Sequence, residues 1–130
     1  DRFGLQVDSN GTTIELELQR ILHQFPSACS AVRGRGMIWG LEFTEAEMAG
    51  QVCRQAFENG LMIETSGARD QVVKLLPPLT ISYEDLLIGL AILKDSIQTV
   101  VGLQSNLPIF YAPAFSGVEP GLHLGSFASL

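Results

Sequence analysis

Apolar residues recur along this chain with two different periods, and each period predicts a different element. Ile14, Leu18, Ile21, Leu22 and Phe25 fall on one face of a helix. Thr12, with Glu15 three residues on, makes a capping box at its start, and Pro26 stops it. Asp1 to Gly11, ending in the turn-forming run Asp8-Ser9-Asn10-Gly11, reads as a loose lead-in. Met37, Trp39, Leu41 and Phe43 alternate, so they share one face of a strand. A second capping box, Thr44 with Glu47, opens a helix whose stripe is Ala49, Val52, Cys53, Ala56 and Phe57. Gly60 then stands where a left-handed C-cap glycine belongs.

From Gly60 to Ser82 the reading is strand, turn, strand and helix start. Leu61-Met62-Ile63 is a short apolar run, Thr65-Ser66-Gly67 is turn chemistry, and Val72-Val73-Lys74-Leu75-Leu76 is a second strand. Pro77-Pro78 ends it, because neither proline can donate to a sheet ladder. Ser82 and Asp85 open a third helix, and Gly102 ends it. Leu86, Leu90, Leu93 and Ile97 form its stripe, yet Leu87, Ile88, Ala91 and Ile92 are apolar too, so it is predicted to be covered on several sides. Leu103 to Leu130 interleaves Pro108, Pro113 and Pro120 with Phe110, Tyr111, Phe115 and Phe127. It is too apolar for a solvated linker and reads as an extended arm packing on the domain or on a partner. The expected fold class is α+β: a small, mostly antiparallel sheet with helices on one face. The expected division is a lead-in 1–11, a domain 12–102 and an arm 103–130.

Composition narrows the function classes. A chain of 130 residues with a net charge of −6 disfavours nucleic acid, since phosphate contacts need clustered Lys and Arg. Arg33 and Arg35 make only a local basic spot. Cys29 and Cys53 lack C-x-x-C or metal-ligand spacing, so two reduced thiols are expected and no metal. The longest apolar run, Leu86 to Leu93, is well short of the roughly 20 residues a membrane span needs. No basic-then-apolar signal pattern stands at the N-terminus. A soluble cytoplasmic chain is the expectation. Gly34, Gly36 and Gly40 do not form a dinucleotide fingerprint, and close backbone packing accounts for them better. His23 and His123 pair with neither a nucleophile nor a metal set.

Lys74 is the residue to explain, because a charge inside a five-residue apolar strand is costly unless exposed or paired. Two stretches, Val32 to Phe43 (VRGRGMIWGLEF) and Gly60 to Ser82 (GLMIETSGARDQVVKLLPPLTIS), with the helix between them, resemble the small C-terminal domain of class III pyridoxal-phosphate aminotransferases. The resemblance covers roughly Leu16 to Val100 and leaves out the first residues and the arm.

The resemblance implies amino transfer through a Schiff-base lysine on pyridoxal phosphate. The family carries that lysine in its large domain, and neither Lys74 nor Lys94 matches its context. The chain alone is therefore expected to hold no cofactor and to lack transamination by itself. In much of the family an arginine just before x-x-Pro-Pro-Leu binds a substrate carboxylate, and Lys74 occupies that position. Lysine lacks arginine's bidentate fork, so Lys74 is either a carboxylate contact or a strand-edge charge. Thr65, Ser66 and Gly67 match a loop near the family's active-site mouth, or form a plain turn. Arg33 meets an acidic group or is a solvated loop arginine. Three functions follow: a detached aminotransferase domain, a binding or assembly module with the arm for docking, or a subunit completing a large-domain chain. A homodimer or higher oligomer is expected, with no nucleic acid and no membrane partner.

Overall fold

A computed structural model describes residues 2–105, with the side chains of 104 and 105 left aside. In chain order the elements are α1 (Arg2–Gln24), β1 (Cys29–Arg35), β2 (Ile38–Phe43), α2 (Ala46–Glu58), β3 (Glu64–Ser66), β4 (Val72–Leu75) and α3 (Tyr83–Ser105). The strands form one antiparallel sheet in the order β1-β2-β4-β3. Trp39, Leu41 and Phe43 of β2, with Val73 and Leu75 of β4, are buried against the helices. Helices α1 and α2 pack on the sheet, and α3 lies chiefly against α2 and α1. This is the expected α+β arrangement, and the alternation in β2 fixed which face is covered.

Helix α1 begins ten residues earlier than its capping pattern predicts, so 2–11 is not a loose lead-in. Thr12 is inside the helix, and its Oγ1 donates to the Asp8 carbonyl one turn back. Tertiary contacts stabilise this first part. Buried Asn10 donates from Nδ2 to the Ile81 carbonyl at 3.2 Å. Gly11 lets the helix press on the turn at Gly36, where an added Cβ would sit 2.4 Å from the Gly36 carbonyl oxygen. Gly36 itself adopts φ +60°, and its carbonyl accepts the Trp39 indole N–H at 2.7 Å.

Thr44 is likewise not a helix cap. Its hydroxyl lies 2.9 Å from both the Ser27 and Ala28 carbonyl oxygens, tying the end of β2 to the segment before β1. Glu45 precedes α2 without a side-chain cap. Ala49, Val52 and Ala56 are buried as expected, whereas Phe57 is 63 % exposed and leaves the stripe. At the helix end the Gly60 N–H bonds to Phe57 O and the Leu61 N–H to Ala56 O, with φ +99° at Gly60. That pair of bonds is the left-handed stop expected there.

The short strand lies three residues later than predicted: β3 holds Glu64, Thr65 and Ser66, while 61–63 runs in from α2 without ladder bonds. Helix α3 starts on the expected cap, with Ser82 Oγ accepting the Asp85 N–H at 3.1 Å. It passes through Gly102 to Ser105. Leu86, Leu90, Leu93 and Ile97 are buried, and Leu87 and Ile88 are exposed. By length and composition its Tyr83–Leu103 stretch is apolar enough to cross a membrane. The buried stripe against α1 and α2 marks it as a core helix of this fold. The arm expected beyond it lies outside the described residues.

Candidate functional site

The helix-free face of the sheet is built by the residues between the buried ones. Gly40 and Glu42 of β2, Val72 and Lys74 of β4, and Glu64 and Ser66 of β3 project there. Antiparallel register sets Arg33, Gly40, Lys74 and Glu64 in one row across all four strands. The next row is Ala31, Glu42, Val72 and Ser66. Gly40 leaves a gap between the two cations, and an added Cβ there would meet Val72 Cγ1 at 2.8 Å.

Arg33 crosses diagonally to Glu42, with Nη1 2.6 Å from Oε1. Gln71 Nε2 approaches the other carboxylate oxygen at 3.5 Å. The Arg33 bond first, and the Gln71 bond second, hold the Glu42 carboxyl below its usual range. Arg33 is therefore a strand residue with a partner, not a solvated loop arginine. The polar positions that alternate with the buried ones carried the only signal for Glu42. Its partner across the sheet was not readable without the register.

Lys74 is not at an edge either, because β3 pairs outside β4. It is half-buried and forms no ion pair among the described residues, where the salt bridges are Arg20–Glu17 and Arg33–Glu42. Beside it a cavity of about 340 Å³ runs between 61–64, 74–78 and the start of α3. Of the other predicted site residues, Ser66 shares the face of Lys74. Thr65 pairs with Val73 and points to the other face, where its Oγ1 lies 3.4 Å from Asp70 Oδ1. Gly67 follows the strand in a turn at φ +95°. The predicted triplet is thus split between two faces and a turn. No group of three or more metal-ligating side chains gathers among the described residues.

Residues 2–97 match the sequence profile of the family Aminotransferase class-III. The chain belongs to the class III aminotransferases. A diaminobutyrate–2-oxoglutarate transaminase of Nocardia farcinica is 47 % identical over 92 residues, covering 71 % of this chain and 21 % of the relative. The enzyme of the same description from Bordetella parapertussis is 46 % identical over 98 residues, covering 75 % and 22 %. An N-acetylornithine aminotransferase structure from Stenotrophomonas maltophilia superposes with a TM-score of 0.70 at 26 % identity, covering 78 % of this chain and 28 % of that one. The chain thus spans about a fifth of the length of these curated class III relatives.

Pyridoxal phosphate, the cofactor of class III aminotransferases, needs a lysine for its aldehyde, donors for its phosphate and a partner for its ring nitrogen. The described residues do not fit it. Lys94 is exposed on α3, and Lys74 stands on the sheet beside Glu64. The helix start nearest Lys74, that of α3, carries Glu84 and Asp85 in its first turn, which repel a phosphate.

Proposed function

We propose that this chain forms the small-domain part of a diaminobutyrate–2-oxoglutarate transaminase and gives Lys74 to the substrate carboxylate. The observation that carries the reading is the 46–47 % identity to relatives of that description over more than two thirds of the chain. An unpaired lysine on the open face of an interior strand supports it. Lys74 acts as a single point charge there, giving attraction without the orienting fork of arginine. Amino transfer itself is assigned to a large domain that supplies the cofactor lysine, so the described residues alone do not turn over. We propose a homodimer as the working assembly, supported by exposed Leu87, Ile88, Met62, Leu76 and Leu79.

A chimera tests this. Residues 2–97 replace the matching segment of the Nocardia farcinica transaminase, and amino transfer from diaminobutyrate to 2-oxoglutarate is assayed. Retained activity is expected, with Lys74→Met raising KM for substrate about tenfold or more. A chimera that binds cofactor and assembles normally, but transfers no amino group, refutes the reading.

A further inference from the structure

A separate cleft of about 770 Å³ lies between the start of α1 and residues 79–84, which lead into α3. Its two walls are held together. Asn10 Nδ2 ties α1 to the Ile81 carbonyl, and Ser82 Oγ caps α3. Three aromatic side chains are exposed among the described residues, Phe3, Phe57 and Tyr83, and two of them, Phe3 and Tyr83, line this cleft. Leu79 lines it too, so apolar side chains from two distant parts of the chain meet there while half open to water. Exposed apolar surface gathered in this way marks a place where something docks. Arg2 and Glu84 are the charged residues of the lining, and neither forms a salt bridge among the described residues.

The sequence that follows α3 has the matching chemistry. Residues 106–130 lie outside the described residues and past the stretch 2–97 that the family profile matches. They carry Pro108, Pro113 and Pro120, four aromatic residues, and Glu119 as their one Asp, Glu, Lys or Arg. Proline suits a groove walled by aromatic rings, because its φ is already fixed and little entropy is lost on docking. We propose that this segment turns back and occupies the cleft of its own chain, with Phe115 and Pro120 against Phe3, Leu79 and Tyr83, and Glu119 toward Arg2. Length selects these residues. The cleft stands at the first turn of α3, and the 23 residues of that helix measure about 34 Å. Extended chain advances about 3.3 Å per residue, so about ten residues are needed to return along the helix. Phe110 and Tyr111 therefore fall short of the cleft, and Phe115 to Pro120 reach it. The tether favours the same chain over a second copy, since it holds the segment at an effective concentration on the order of millimolar. Glu84 opposes Glu119, so the Arg2 contact sets the register of the segment and adds little strength. Met62, Leu76, Leu87 and Ile88 lie outside this lining and stay available to the homodimer. The inference does not rest on the transaminase reading, because none of its residues is assigned to amino transfer.

The test is a nitroxide on the full chain at Ser116→Cys, read by the loss of amide signals around it. Cys53→Ser removes the half-buried thiol, and Cys29 is buried and takes no label. With nitroxide and isotope label in the same chain, the amides of 2–6 and 79–84 are expected to lose most of their intensity, and reducing the nitroxide should restore it. Phe3→Ala combined with Tyr83→Ala should also restore it. Both side chains are exposed, so the pair of substitutions keeps the fold. Arg2→Gln should weaken docking no more than about fivefold. Full intensity at 2–6 and 79–84, or losses only elsewhere, overturns the inference. So do losses that persist without the two rings. In an equal mixture of isotope-labelled chains without nitroxide and nitroxide chains without isotope, these residues should keep their intensity. Loss there gives the cleft to the segment of a second copy and overturns docking within one chain.

Discussion

Glycine inside a helix ordinarily weakens it, so replacing Gly11 by alanine ought to stabilise α1 by about 1 kcal/mol. The opposite is expected here. A Cβ on Gly11 would stand 2.4 Å from the carbonyl oxygen of Gly36 and 3.1 Å from its carbonyl carbon, both backbone atoms. Neither can rotate away. Either α1 lifts off the β1–β2 turn or the turn gives, and overpacking of this kind costs about 1–3 kcal/mol. The same Gly36 oxygen accepts the Trp39 indole N–H, so a displaced turn also strains a bond worth about 1 kcal/mol. The net expectation for Gly11→Ala is a loss of about 2 kcal/mol. Gly50→Ala is the control, in the interior of α2. Its nearest neighbour is Arg54 Nη1 at 3.7 Å, the end of a flexible side chain. That variant should gain about 1 kcal/mol. In urea denaturation the two midpoints should move in opposite directions and end on the order of 1–2 M apart. If Gly11→Ala raises the midpoint as Gly50→Ala does, the close approach of α1 to the turn is wrong.

Two further expectations concern the buried thiol and the exposed apolar surface. Cys29 is 2 % exposed, and burial pushes its thiol up from the ordinary 9.0 to about 12. Between those values the unfolded chain releases a proton that the folded chain keeps, so stability falls as pH rises. The fall is at most about 1.4 kcal/mol per pH unit. Urea midpoints measured from pH 9 upward should therefore drop more steeply in the native chain than in Cys29→Ala, and parallel slopes would count against a buried thiol. Light scattering on the intact chain should give twice its 14.1 kDa mass, and a monomer at high micromolar concentration would rule out the dimer.

What was legible in the chain were the features set by local chemistry alone. The alternation in β2, the Ser82 cap and the Gly60 stop each depend on a few neighbouring residues, and each formed where its pattern placed it. The errors arose where a distant partner outweighed a local signal. Asp8-Ser9-Asn10-Gly11 has turn chemistry, but Asn10 is held by Ile81 and Gly11 by the fit to Gly36, so the helix runs through it. Thr44 has cap chemistry, but the Ser27 and Ala28 carbonyls take its hydroxyl first. Thr65 and Ser66 have turn chemistry, but β4 offers them a ladder. The candidate site suffered most, because a row across four strands joins residues from Arg33 to Lys74 and exists only once the register is known.

The strand position of Lys74 changes what its charge means. At an edge, a lysine blunts unwanted pairing, and that role explains it fully. Inside the sheet, between β2 and β3, there is no free edge for it to protect. Its alternation with Val73 and Leu75 sends it to the face that the helices leave open, so half-burial is tolerated without a salt bridge. Across the ladder it meets Gly40 on one side, which supplies no partner, and Glu64 on the other, which stands opposite without a salt bridge forming. An unpaired cation beside an unpaired carboxylate is of little use for stability, since closing the pair would add at most about 1 kcal/mol. The strand alone therefore gives no reason for the charge, and the KM of the chimera carrying Lys74→Met is its test.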